Sequence, residues 1–143
     1  MNPWIWYRDN FIAFEGRLAR RAFVVRSLML LGISVGFAAA GYAMFELAPP
    51  MVGVMFFFSG AALILASSLS LLVRRFHDLG RSGYTVITYY SASAAVIGAE
   101  ALLEEMVGML AATLLGLLVG ALSLVILLWP GRQAPNAYGP PQI

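Results

Sequence analysis

Long apolar runs without charge alternate with short polar stretches along the chain. Four runs lack Asp, Glu, Lys and Arg, and they cover residues 27–45, 47–73, 82–99 and 106–131. A 19-residue helix, the length of the first run, spans about 28 Å and matches a hydrocarbon core of roughly 30 Å. Strands of a membrane barrel would instead alternate in polarity over about 10 residues. The pattern predicts four transmembrane helices, near residues 24–46, 51–74, 83–102 and 106–129.

The segments outside these helices are short and differ in character. Residues 1–23 contain Trp4, Trp6, Tyr7 and Phe11, and such aromatic side chains favour the membrane–water interface. Residues 130–143 are rich in proline, which excludes a continued helix. We therefore expect an all-α membrane protein with one domain, 1–143. It would be a compact bundle of four transmembrane helices with short loops, an interfacial N-terminal segment at about 1–23 and an irregular C-terminal tail at 130–143.

Composition supports the membrane assignment and removes many kinds of chemistry. The chain is 61% hydrophobic and 11% charged, whereas soluble domains carry about 25% charged residues. Disordered chains are poor in apolar residues, so disorder is excluded as well. There is no Cys and one His, which excludes disulfides, thiol chemistry and His-rich metal sites. We expect no cofactor and no bound metal.

The few charges are sorted by side of the membrane. All nine basic residues are Arg: five precede the first charge-free run, three lie between the second and third runs, and one follows the fourth. The chain between the first and second runs, and between the third and fourth, has acids as its only charged residues. These acids are Glu46, Glu100, Glu104 and Glu105. The positive-inside rule then places both termini and the loop at 74–82 in the cytoplasm. Orientation accounts for the arginines, so no nucleic-acid partner is expected.

Two rows of small residues predict close helix packing. Each row has a small residue at every fourth position, which places the row on one helix face, where it lets another backbone approach closely. The rows are Gly32, Gly36 and Ala40 in the first helix, and Gly108, Ala112, Gly116 and Gly120 in the fourth. We expect packing within the bundle; a homodimer seam is the alternative.

Three polar stretches are predicted to meet at the cytoplasmic face, at residues 14–23, 73–84 and 130–141. Their candidate site residues are Arg17, Arg20, Arg74, Arg75, His77, Asp78, Arg81, Asn136 and Tyr138. Arg74 and Asp78 are spaced as an i, i+4 ion pair, and Gly80 fits the left-handed residue that ends a helix. The cluster is either a structural network and membrane anchor or a site for an anionic lipid headgroup. Because His77 and Asp78 are adjacent, they would point in different directions on a helix, which argues against a catalytic pair.

The same stretches resemble the motifs of small bacterial inner-membrane proteins catalogued as domain of unknown function 805. That family carries F-x-G-R-x-x-R, then R-R-L-H-D-x-G-R-S-G-W, then G-x-N-x-Y-G. The matching residues here are Phe14, Gly16, Arg17 and Arg20, then residues 74–84, then Asn136, Tyr138 and Gly139. This chain has Phe76 where Leu is usual and Tyr84 where Trp is usual. The resemblance implies the fold and a bacterial inner-membrane location, but no activity.

Three functions remain open after these observations. The first is a non-enzymatic structural or interaction protein whose Arg/His/Asp cluster binds an anionic phospholipid or a membrane-protein partner, with a homo-oligomer as a further option. The second is a small transporter or channel subunit, which the absence of charge deep inside the predicted spans disfavours. The third is an enzyme acting on a phosphate-bearing lipid, with His77 as the acid–base group and arginines holding the phosphate.

Overall fold

The computed structural model describes residues 2–141, with side chains described at all of these positions except 103–107, 111, 112, 115, 119, 122 and 126. Within the described range the fold is all-helical, and its single β-bridge is isolated. The elements, in order, are α1 Pro3–Tyr7 with a following π-helical turn Arg8–Ile12, α2 Arg20–Leu47, α3 Pro50–Asp78, α4 Thr85–Val107 and α5 Met109–Leu128.

Two helices, α2 and α3, are long and apolar enough to cross a membrane. They have 28 and 29 residues, and only 11% and 28% of their most apolar windows is buried inside the protein. A core helix of a soluble protein would be mostly buried, whereas a bilayer-facing helix keeps its apolar side chains on the outside. These two helices therefore indicate a membrane protein.

The predicted boundary between the last two helices was wrong. The structure continues α4 through Val107, beyond the predicted end at residue 102, so Glu104 and Glu105 lie within a helix and not in a loop. The turn falls at Gly108, whose φ of 96° is in the left-handed region that glycine adopts without steric cost. The error arose because the acids after the third charge-free run were assigned to a loop. Glu, Leu and Ala are all strong helix formers, so the helix can continue through them.

The helices pack mainly as two hairpins, α2 against α3 and α4 against α5. The α3 and α4 helices meet near the turn that joins them, where Phe76 packs edge-on against Tyr89 and the Ser68 and Tyr90 hydroxyls are 3.2 Å apart. The N-terminal segment rests on α3, because the Tyr7 hydroxyl lies 2.8 Å from the Ser67 hydroxyl. These contacts all lie towards the end at which α2 begins and α3 ends.

The buried apolar core lies at that same end of the molecule. Its members come from the first turns of α2 and α4, the last turns of α3 and α5, and the N-terminal segment. They are Phe11, Leu18, Phe23, Leu30, Leu71, Leu72, Phe76, Val86 and Leu127. Many large apolar side chains elsewhere are exposed, so the best-packed region of the described structure is the one that carries the three polar stretches.

Two members of the small-residue row of the first helix, Gly32 and Gly36, do not pack against another helix among the described residues. Gly32 and Gly36 are exposed, and a Cβ added at either would meet nothing within 4 Å. The α2–α3 contact uses a glycine of α3 instead, because a Cβ on Gly60 would lie 2.5 Å from the Phe37 ring. The aromatic side chains of α2 therefore determine where glycine is needed. The homodimer alternative for Gly32 and Gly36 stays a prediction.

The second row is divided among different environments. Gly108 lies in the turn before α5, and Gly120 has open space around it. Gly116 contacts the Glu100 carboxylate of α4 so closely that a Cβ there would collide with it. The side chain of Ala112 lies outside the described residues. Of the described members, Gly116 thus makes a close helix–helix contact.

Candidate functional site

Asp78, the last residue of α3, lies at the centre of a buried ionic cluster. Its Oδ1 accepts hydrogen bonds from Arg17 Nε and Nη2 at 3.1 and 2.9 Å. Its Oδ2 accepts one from Arg75 Nη1 at 2.6 Å. The Arg17 and Arg75 side chains are 1% and 0% exposed, so each carboxylate oxygen neutralises a guanidinium that has lost its water. The predicted i, i+4 partner was wrong, since Asp78 pairs with Arg75 one position later than Arg74.

The same two guanidinium groups hold the chain that follows α5. Arg75 Nε donates to the Leu127 carbonyl at 2.5 Å, and Arg75 Nη2 donates to the Trp129 carbonyl. Arg17 Nη1 donates to the Ala134 carbonyl at 3.0 Å. The last carbonyls of a helix have no partner within the helix and carry partial negative charge. Two arginines from elsewhere in the chain therefore satisfy the end of α5 and fix the tail.

His77 is held on its ring face and on one ring nitrogen. Its ring stacks on Tyr138 with centroids 3.7 Å apart and an interplanar angle of 3°. Its Nδ1 lies 3.0 Å from the Gly16 carbonyl, which can only accept, so Nδ1 is the donor. Asn136 Nδ2 donates to the His77 carbonyl at 2.9 Å, and Asn136 Oδ1 accepts from Tyr138 N at 2.9 Å. These contacts use the imidazole to join the tail to the N-terminal segment.

The end of α3 is shaped by a left-handed glycine. Gly80 has φ +74°, its N–H donates to the His77 carbonyl, and the N–H of Arg81 donates to the Phe76 carbonyl. This pair of bonds is the Schellman arrangement that closes helix ends, and it confirms the predicted role of Gly80. It places Asp78 at the end of the last helical turn, where its backbone carbonyl accepts from Arg132 N at 2.9 Å.

The structure brings together six of the nine predicted site residues. We call Arg17, Arg75, His77, Asp78, Asn136 and Tyr138 the Asp78 network. Arg74 is buried apart from it, and its Nη1 donates to the Asp9 and Asn10 carbonyls at 3.3 and 3.4 Å. Arg20 and Arg81 are exposed. The nine predicted positions thus belong to three different environments.

An open cavity of about 760 Å³ lies beside the Asp78 network. Its charged rim consists of Arg20, Arg21 and Arg132, all exposed, and we call it the basic groove. Asp78 also contributes to the lining, but both of its oxygens are bonded to guanidinium groups of the network. The groove is therefore positively charged. Arg21 and Arg132 were not among the predicted site residues. Arg21 follows the candidate Arg20 directly, and Arg132 lies in the third polar stretch, so their positions in the chain would have indicated this surface.

Gly131 has a steric role that sequence reasoning missed. A Cβ at this position would collide with the Asp78 carboxylate, so glycine lets the tail lie directly on the ionic cluster. The signal in the sequence was a single glycine between Pro130 and Arg132. Such a glycine is typical of any turn and does not identify the group that it faces.

Comparison with known families gives one match. The family described as "Protein of unknown function (DUF805)" matches residues 11–140, a range that includes all six residues of the Asp78 network. Searches of curated proteins and of solved structures found no match to the chain. The match covers most of the chain, so this protein belongs to the DUF805 family.

Proposed function

We propose that this DUF805 protein is a non-enzymatic integral protein of the bacterial inner membrane, and that it binds anionic phospholipid headgroups at the cytoplasmic face through its basic groove. In this proposal α2, α3, α4 and α5 cross the bilayer as a four-helix bundle with both termini in the cytoplasm. The sorting of arginines and acids between the two sides supports this orientation.

The observation that carries the proposal is the difference between paired and unpaired arginines around Asp78. Arg17 and Arg75 are buried, and each donates to the Asp78 carboxylate. Arg20, Arg21 and Arg132 remain exposed at the groove, and the ion pairs of the described residues do not include them. Guanidinium groups bind phosphate oxygens in pairs of parallel hydrogen bonds, and a surface beside the bilayer meets phosphate at lipid headgroups.

The Asp78 network has a supporting role in this function. It fixes the tail on α3 through the carbonyls of residues 127, 129 and 134. Because Arg132 lies within that fixed stretch, the network holds it at the groove that Arg20 and Arg21 also line. The contacts of His77 with Tyr138 and Gly16 favour a role in positioning the tail over one in acid–base chemistry.

The proposal is tested by counting lipids bound to the purified protein with native mass spectrometry. We expect the wild-type protein to retain phosphatidylglycerol in preference to phosphatidylcholine. The double variant Arg20→Gln, Arg132→Gln should lose the part of that preference that comes from the groove, and it should therefore bind fewer phosphatidylglycerol molecules per chain. A matched control, Arg8→Gln with Arg81→Gln, removes two exposed arginines outside the groove and should retain it. An equal loss in both double variants would mean that the preference reflects total charge, and the groove would have no specific role.

A second candidate function, a small transporter or channel subunit, is favoured by Glu100. Its carboxylate contacts Gly116 between α4 and α5, beside a cavity of about 650 Å³ that Ser93 and Ser123 also line. An acid within a membrane helix is typical of ion and proton pathways. Proton flux into liposomes containing the purified protein, abolished by Glu100→Gln, would support this function. Flux equal to that of empty liposomes would exclude it for the chain alone.

A further inference from the structure

Arg26 of α2 and Arg74 of α3 form a second basic pair, and the structure gives neither of them an acidic partner. Arg74 is 8% exposed, and Arg26 is partly buried. The ion pairs found among described residues join Arg8 to Asp9, and Arg17 and Arg75 to Asp78. Both side chains adjoin Asn10, because Arg26 lines a cavity together with Asn10 and Arg74 Nη1 donates to the Asn10 carbonyl. Two desolvated like charges raise the free energy of the fold unless an anion lies between or beside them.

The hydrogen bonds of this pair are incomplete as well. Arg26 Nη1 and Arg74 Nε are buried and have no hydrogen-bond partner among the described atoms. The remaining bonds from Arg74, to the Asp9 and Asn10 carbonyls, are long at 3.3 and 3.4 Å. Buried polar groups in proteins nearly always have a partner. Unsatisfied donors on two cations that adjoin the same residue are typical of an anion-binding site.

A cavity of about 290 Å³ opens beside Arg26, between the N-terminal segment and α2. Its polar lining consists of Asn10, Arg21 and Arg26, and its apolar lining includes Trp6, Val25 and Met29. We call it the Arg26 pocket. Arg74 borders it indirectly, because its side chain bonds the carbonyl of Asn10 in the pocket wall. The pocket therefore combines the guanidinium groups of Arg21 and Arg26 with an apolar wall.

The position of the pocket along α2 matches the boundary between headgroups and acyl chains. Arg26 lies six residues after the start of α2, or about 9 Å along the helix. Val25 and Met29 are 50% and 47% exposed and continue from the pocket along a helix that is apolar enough to cross a membrane. Trp6, which is 39% exposed, lies at the opposite wall, and tryptophan favours the headgroup level.

We propose that the Arg26 pocket binds one phospholipid through its phosphate, with Arg26 and Arg21 as the phosphate-binding residues and Arg74 as the positioning residue. The phosphate oxygens accept from the guanidinium groups of Arg26 and Arg21 and supply negative charge near Arg74, and the acyl chains lie along Val25 and Met29. The site is distinct from the basic groove, with which it shares the lining residues Arg21 and Ala22. It does not depend on the function proposed for the groove.

The test titrates the purified full-length protein with dioleoyl-phosphatidylglycerol, dioleoyl-phosphatidylcholine, glycerol phosphate and inorganic phosphate. We expect one tightly bound phosphatidylglycerol per chain, and a loss of affinity of about tenfold or more in Arg26→Gln, since hydrogen bonds to charged groups are the strong ones. The affinity of Arg26→Lys for phosphatidylglycerol should lie between those of wild type and Arg26→Gln, because lysine keeps the charge but lacks the planar guanidinium group. The double variant Arg20→Gln, Arg132→Gln should keep this tightly bound lipid, which separates the pocket from the groove.

Thermal unfolding distinguishes a lipid site from a structural arginine. In lipid-free detergent, Arg26→Gln should unfold at the same temperature as wild type or higher, because it removes an uncompensated charge. The rise in unfolding temperature that phosphatidylglycerol gives to wild type should be absent in the variant. A variant that binds phosphatidylglycerol as tightly as wild type would overturn the site. Binding of glycerol phosphate or inorganic phosphate as tight as that of the lipid would overturn the role of the acyl chains.

Discussion

Replacing Asp78 by Asn removes the acid that the described structure places between Arg17 and Arg75 while preserving the shape of the side chain. The Asn oxygen can accept from one guanidinium, but its NH₂ group must then face the donors of the other. Both buried cations lose the negative charge that they face at 0–1% exposure, so solvent screening offers little compensation. Breaking a buried ion pair from one side costs about 3–5 kcal/mol. That is a large part of a total stability of about 5–15 kcal/mol.

The measurement is equilibrium unfolding of the purified protein in mixed micelles, followed by tryptophan fluorescence. We expect the free energy of unfolding of Asp78→Asn to fall by about 3–5 kcal/mol. The matched control is Asp9→Asn, because Asp9 pairs with Arg8 at 55% and 57% side-chain exposure, and such surface pairs contribute less than about 1 kcal/mol. If the two Asn variants unfolded with equal free energies, the Asp78 network would not stabilise the fold, and the reasoning from burial would be refuted.

Three further changes test other parts of the structure. Gly60→Val forces the Phe37 ring away from α3 and should lower the free energy of unfolding by about 1–3 kcal/mol, whereas Gly36→Val, in open space, should have no effect in the same unfolding assay. Tyr138→Ala removes the stacking on His77 and should speed limited proteolysis of the tail; Tyr138→Phe, which keeps the ring, should not. A fluorescent protein fused after residue 143 should fold and fluoresce in the cytoplasm, and a phosphatase that is active only outside the cytoplasm should stay inactive there.

Arg74 and Arg75 have different partners, and the sequence did not predict which partner each of them has. Both residues were candidates because they lie in the same polar stretch. Adjacent positions on a helix point about 100° apart, so one reaches Asp78 and the other reaches the Asn10 carbonyl. Which of the two faces the tail depends on how α3 packs, and periodicity does not specify this. The carbonyl partners of Arg17 and Arg75 were also unpredictable, because every residue carries a carbonyl.

The helices themselves followed from local patterns where those patterns were strong. The apolar lengths of α2 and α3 required helices of membrane-spanning size, and the chemistry of Gly80 specified the end of α3. The end of α4 was misplaced because acids were interpreted as a loop, although glutamate favours a helix. The surroundings of the glycine rows could not be predicted, because spacing places residues on one face without saying what that face contacts. For Gly36 it contacts nothing within 4 Å.

The bond between Arg17 and the Ala134 carbonyl has a consequence for the order of synthesis. Arg17 precedes all four long helices and Ala134 follows them, so the ribosome must complete every helix before this bond can form. Until then Arg17 and Arg75 can pair with Asp78, but they lack the backbone carbonyls to which they donate in the complete fold. The complete network can therefore form only after the last helix has been synthesised and its C-terminal end has packed near Arg17. A chain that stops before residue 127 lacks the carbonyls of residues 127, 129 and 134 to which the two guanidinium groups donate.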